Sequence, residues 1–157
     1  RLTETHGLDQ PVSKTAIDAS RREAQERLAP ACQEIRARLG VQPFQVLETD
    51  GTGSAFAHWK LNLQGYHRAA THGFVASTDR LLESAYEMGR LDVASRVRIA
   101  HAEPRRASVF PAGLSILTAI LELLAAPDCK ITCQGLRHGM ILKMLQEGPT
   151  TRLGRQN

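Results

Sequence analysis

Apolar residues in the first forty positions recur at steps of seven and four, at Ile17, Ala24, Leu28, Ile35 and Leu39. That spacing places side chains on one face of a helix. Ser13 supplies an N-cap and Gly40 a stop. The opposite face, with Arg21, Arg22, Glu23, Glu26 and Arg27, reads as solvated. Pro30 removes a backbone donor and crowds the preceding turn, so a kink or split is expected near Ala29. A β-like run over 43 to 49 follows, then a turn over Gly51-Thr52-Gly53-Ser54, a short helix from Ser54 to about Leu63, and Gly65 as its stop. Tyr66 to Thr71 reads as loop and Thr71 to Ala76 as a short β-like piece. Ser77 caps a helix through Met88 with Leu81, Leu82 and Ala85 inward, and a shorter helix spans Leu91 to Ile99. Pro104 opens the most apolar element, running to Ala126. Its Leu114, Ile116, Leu117, Ile120, Leu121, Leu123 and Leu124 surround the axis, as in a central buried helix. Pro127-Asp128 marks a turn, 129 to 133 a strand with β-branched Ile131 and Thr132, and Gln134 to Gln146 a final helix before a polar tail. Helices outnumber strands, and helices separate the two clearer strands, so the pattern predicts a helix-rich α/β fold with a short parallel strand pair.

Composition narrows the class without naming a function. The 157 residues suit one domain, and 42% hydrophobic with 23% charged residues is the balance of a soluble globular chain. Aromatics at 4% are too few for a base-stacking platform, and the +4 charge is spread without a polybasic block. Anionic ligands are mildly favoured; nucleic acid is not an expected partner. Val109 to Ala126 holds Pro111 and Glu122 and falls short of the roughly 20 residues a bilayer span requires, so no membrane is expected. Cys32, Cys129 and Cys133 are odd in number with no secretory signal before them, which points to a reduced, cytoplasmic protein. Cys129 and Cys133, four apart, suit neither a redox pair nor a zinc site and read as core thiols. Because the chain starts at Arg1 rather than Met, it is expected to be a piece of something longer.

Candidate chemistry concentrates after the first strand. Gly51, Thr52, Gly53 and Ser54 place two glycines and two hydroxyls between a strand and a helix start, where backbone N–H groups can cradle a phosphate. The same residues also fit a plain strand-to-helix turn with an N-cap, and their spacing matches neither a P-loop nor a dinucleotide fingerprint. Arg137, in the first turn of the last helix, suits a phosphate contact or a bond to neighbouring carbonyls and carboxylates. Arg105 and Arg106 extend a positive path for a polyanion, or are solvated. His58, His67, His72, His101 and His138 lack a metal-binding spacing, so no metal ligand is assigned, and no catalytic triad is legible.

At Pro111-Ala112-Gly113-Leu114-Ser115-Ile116-Leu117, followed by a short strand and Gly135-Leu136-Arg137-His138-Gly139, the chain resembles the exopolyphosphatase and guanosine pentaphosphate phosphohydrolase (Ppx/GppA) family. Arg1-Leu2-Thr3-Glu4, Asp50-Gly51-Thr52, His72-Gly73 and Glu103-Pro104-Arg105-Arg106-Ala107 fall on further family motifs in the same order. The resemblance implies a two-lobed, actin-like and RNase-H-like ATPase fold in which phosphate groups bind between the lobes with a divalent metal, usually Mg2+. Residues 1–147 then form most of the second lobe and 148–157 a flexible tail. The first lobe, with the family's catalytic glutamate and glycine-rich phosphate loop, would precede Arg1. No catalytic residue is therefore expected here, no metal is expected to bind this chain alone, and the isolated chain should be inactive. Polyphosphate or guanosine pentaphosphate is the implied substrate, held in part by Gly51, Thr52, Gly53, Ser54 and Arg137. The motifs also depart from the family: Asp50 stands for a glycine, Thr132-Cys133-Gln134 for Ser-Asp-x, and His138 for a glutamate. A non-catalytic signalling or sensor homologue, of the fungal retrograde-regulation kind, is the alternative. Two strands without their neighbours leave an open sheet edge and an uncovered helix face, to be covered by the missing lobe, a homodimer partner or a rearrangement.

Overall fold

The computed structural model describes residues 1–49, 51–65 and 67–147; Asp50, Tyr66 and the tail from Gly148 lie outside the described residues. The first periodic stretch forms α2 (Lys14–Leu39), after a single turn α1 (Leu2–Thr5). Ser13 Oγ accepts the Ala16 N–H at 3.4 Å, and Gly40, at φ 61°, closes the helix with its N–H on the Arg36 carbonyl. Pro30 does not split it. Pro30 and Glu26, one turn earlier, both lie on the exposed face, where water can take the carbonyl that the proline leaves without a donor. Ile17 and Ala24 are buried as expected, but Ile35 is exposed, so the last turns of α2 leave the core after Cys32. The opposite face is not uniformly solvated either. Arg21 turns inward to donate to Glu122 at 2.6 Å, and Glu23 accepts from His6 at 2.7 Å.

Three short strands form one mixed sheet in the order β1-β3-β2: β1 (Val46–Glu48), β2 (Val75–Ser77) and β3 (Asp128–Ile131). β1 runs parallel to β3 with Val46 opposite Cys129 and Glu48 opposite Ile131, which is the predicted parallel pair, shorter than the predicted spans. β2 adds an antiparallel partner on the other side of β3, with Ala76 opposite Cys129. The central strand is thus the last one in sequence. Its Cys129 is fully buried, and burial together with the charges of Glu48 and Asp128 pushes the thiol up to about 11, as befits an inert core cysteine.

Helices α5 (Thr78–Gly89) and α6 (Val93–Ala100) start as their sequences dictate: Ser77 Oγ accepts from Arg80 N–H at 3.4 Å and Asp92 Oδ1 from Ser95 N–H at 2.7 Å. A second single turn, α4 (Arg68–Thr71), occupies what reads as loop; four residues are too few to show a helical period. The long apolar stretch is α7 (Pro104–Leu124), which packs against α2, α5 and α6. Leu114, Ala119 and Leu121 have no exposed surface. Each fully buried leucine is worth about 1.5–3 kcal/mol against its exposed state. Alone among the described helices α7 has the length and apolarity of a membrane span, yet most of its surface is buried within this domain, and Glu122 near its end is bonded to Arg21 and Gln25. Arg96 of α6 is the largest fully buried side chain; it donates to the carbonyls of Met88, Leu8 and Gln10, tying the segment after α1 to the α5–α6 corner.

Candidate functional site

A cleft of about 630 Å³ opens where three segments meet: the start of α3 (Gly51–Lys60), the turn from α6 into α7, and the turn from β3 into α8 (Leu136–Glu147). Its floor follows from the sheet. β1 and β3 run parallel, so both release the chain at the same edge, the usual position of a ligand crevice in an α/β sheet.

α3 starts at Gly51, not at Ser54, so Gly51, Thr52, Gly53 and Ser54 are its first turn rather than a free loop. This turn sorts the four residues by face. Gly51 and Ser54 line the cleft. Thr52 packs inward, where a Cβ added to Gly113 of α7 would come within 2.6 Å of its Oγ1, so the two helices touch at a glycine. Gly53 is buried, and its N–H donates at 3.1 Å to the carboxylate of Glu48, itself only 8% exposed. A side chain at position 53 would collide with Glu48 Oε2. Glu48 is thus a helix-start carboxylate supplied to α3 from the preceding strand. A sequence search for caps that looks only at the residue before the helix misses it.

Two of the three candidate arginines reach the cleft. The Arg106 guanidinium lies over the first turn of α3, 3.5 Å from where a Gly51 side chain would begin. Arg137, from the first turn of α8, lines the same space. Arg105 is exposed and does not line it. His58, His101 and His138 also face the cleft, none of which the sequence assigned to phosphate. His58 Nε2 is buried without a hydrogen-bond partner among the described residues, and burial, then the proximity of His67, holds its pKa below the ordinary histidine value. His58 is thus favoured neutral, and Arg106 and Arg137 are the fixed positive charges in the cleft.

The β3–α8 turn is held by a residue from across the sheet. His72 Nδ1 accepts the Cys133 N–H at 3.3 Å and sits 3.1 Å from Thr132 Oγ1, which in turn accepts the Gln134 N–H at 3.1 Å. An acceptor Nδ1 places the ring proton on Nε2. The triplet Thr132-Cys133-Gln134 is thus a hydrogen-bonded turn delivering Gly135 and Arg137 to the cleft.

Among the described residues the donors do not fit a divalent metal. Mg2+ takes hard oxygen ligands. Glu103 is the one carboxylate lining the cleft among the described residues, beside arginines and histidines, and no group of three His, Cys, Asp or Glu side chains is placed to hold an ion.

The family model for the Ppx/GppA phosphatase family matches residues 1–148. Among solved structures, the Aquifex aeolicus Ppx/GppA family member superposes with a TM-score of 0.80 at 20% identity, covering 96% of this chain and 47% of that one. The type II variant of the Aquifex aeolicus Ppx/GppA phosphatase gives 0.75 at 21% identity, with 90% and 45% covered. An exopolyphosphatase-like protein gives 0.73 at 18% identity, with 93% and 48% covered. The chain therefore spans about half the length of these structures, and shares with them a helix-rich α/β fold with a small mixed sheet. By the match over nearly all of its length, the chain belongs to the Ppx/GppA phosphatase family.

Proposed function

We propose that this chain is the second-lobe portion of an actin-like phosphoanhydride hydrolase, that it forms one wall of a phosphate-binding cleft, and that it does not turn over substrate alone. The observation that carries the reading is the pairing of Arg106, over the first turn of α3, with Arg137 at the start of α8, in one cleft of a chain half as long as its structural relatives. Phosphoryl transfer asks a protein chiefly for positioning and for compensation of oxygen charge, and guanidinium groups supply both through forked donors. The general base and the Mg2+ site are then assigned to the first lobe, since the described residues of this cleft supply one carboxylate, Glu103, and no metal donor set. Polyphosphate or guanosine pentaphosphate is the substrate class, and the cytoplasm the compartment.

The apolar surface of α8 supports the incompleteness. Leu136, Met140, Ile141, Leu142, Met144 and Leu145 are all more than half exposed, and on the outer strands Leu47 and Val75 are exposed as well. The first lobe, or a second copy in a homodimer, covers this face.

Phosphate release from polyphosphate and guanosine pentaphosphate, assayed with Mg2+ on the longer parent polypeptide and on this chain, tests the reading. Activity of the parent with an inert isolated chain is expected. An inactive parent would favour the non-catalytic sensor instead, a reading supported by the carboxylate of Glu48 beneath α3.

A further inference from the structure

The N–H groups of a helix start gather positive potential and are the natural seat of an anion. At α3 that seat already holds one. Glu48 ends β1 with its backbone carbonyl fixed on the Thr132 N–H at 2.8 Å, and its Oε1 accepts the N–H of Gly53, the third residue of α3, at 3.1 Å. The pocket for this carboxylate is built: Glu48 is 8% exposed, and a Cβ at position 53 would strike Oε2 and displace the carboxylate. Of the motif's two hydroxyls, that of Thr52 is turned away against Gly113, while Ser54 lines the cleft.

Resting on the reading that the cleft takes phosphate groups, we propose that Glu48 is a built-in anion occupying the phosphate-type seat at the start of α3, so that phosphate oxygens are confined to the Arg106 and Arg137 side of the cleft. Two anions cannot share the Gly53 N–H, and like charges in a partly buried setting repel strongly. Glu48 thereby sets how deep a polyanion reaches and which of its phosphates meets the arginines. The role is one of specificity and not of chemistry.

The test is a titration of the 157-residue chain with inorganic tripolyphosphate, followed by backbone amide shifts and calorimetry. In the unmodified chain the amides around Arg137 and Arg106 should move and that of Gly53 should not. In Glu48→Ala the Gly53 amide should join them and binding should tighten roughly tenfold, as relief of one like-charge contact allows. Glu48→Gln keeps the acceptor and the volume and should leave Gly53 unresponsive. Should Glu48→Ala not fold, Glu48→Ser vacates the carboxylate position while keeping a polar group under the helix and carries the comparison. A Gly53 amide that responds in the unmodified chain overturns the proposal, as does a vacated variant that binds no tighter. Binding only in the vacated variant, through Gly53, sinks the phosphate-cleft reading and leaves Glu48 as the resident anion; arginine-dependent binding unchanged by the substitution sinks the Glu48 proposal alone; no binding by either overturns both.

Discussion

Two helices rich in large apolar residues meet opposite fates. α7 is apolar on all sides and buried against three helices, whereas α8, comparably rich in leucine, isoleucine and methionine, exposes nearly all of them. Burial, not composition, separates a core from an interface. The small residues explain the difference: Ala107, Ala112, Gly113 and Ala119 let α7 approach its neighbours, and Gly113 admits Thr52 of α3, while Gly139 of α8 meets nothing.

That contrast can be broken at the core. Leu121→Ala in α7 should cost about 2–5 kcal/mol by lost transfer energy and a cavity, whereas Leu145→Ala in α8 should change stability by less than about 0.5 kcal/mol. Parallel urea melts check the pair, and equal losses would mean that α8 is packed in solution. Arg96→Met comes next, at about 3 kcal/mol, because two buried carbonyls and a part-buried one lose their shared donor; hydrogen exchange should show the segment at Leu8 to Gln10 opening first. Smaller again is the turn below the cleft. His72→Leu should cost about 1 kcal/mol through the lost acceptor, while His72→Asn, whose Oδ1 stands at the Nδ1 position, should restore most of it. The Cys133 amide shift reports which has happened.

The least effect is expected at the α6 cap, and it carries a sign. Hydrogen bonds from Ser95 hold the Asp92 carboxyl below its ordinary value of 3.8. A depressed carboxyl stabilises the fold above the unfolded value and loses that contribution as pH falls through the folded one. Asp92→Ala should therefore lower the melting temperature slightly near neutrality and converge on the unmodified chain in strong acid; a gap that persists there would assign the loss to something other than the charge.

How much of this was legible in the sequence follows the same divide. Where one period or one cap dominates, as in α2 from Ser13, α5 from Ser77 and α7 from Pro104, pattern and structure agree within a residue or two. Single turns such as α4 leave no period to read. The predicted parallel pair was right, but β2 joined it because Ala76 fits against Cys129, a tertiary fact. At the site, four residues that the motifs singled out, Gly51, Ser54, Arg106 and Arg137, line one cleft. The motifs could not reveal that Thr52 and Gly53 turn inward, since that depends on a carboxylate five residues before Gly53 and a glycine sixty-one residues after Thr52. His72 was visible only as part of a dipeptide motif; its bonds to the 132–134 turn needed the sheet.

On the proposed function, Arg106 and Arg137 make this chain a phosphate-binding wall with no turnover of its own. Titration of inorganic tripolyphosphate into the chain and into its Arg106→Ala, Arg137→Ala double variant, with released phosphate measured in the same samples, tests it most directly. Salt-sensitive binding that the double variant loses by about tenfold or more, with no phosphate released by either, is the predicted result. Binding indifferent to both arginines, or hydrolysis by the unmodified chain alone, would contradict it.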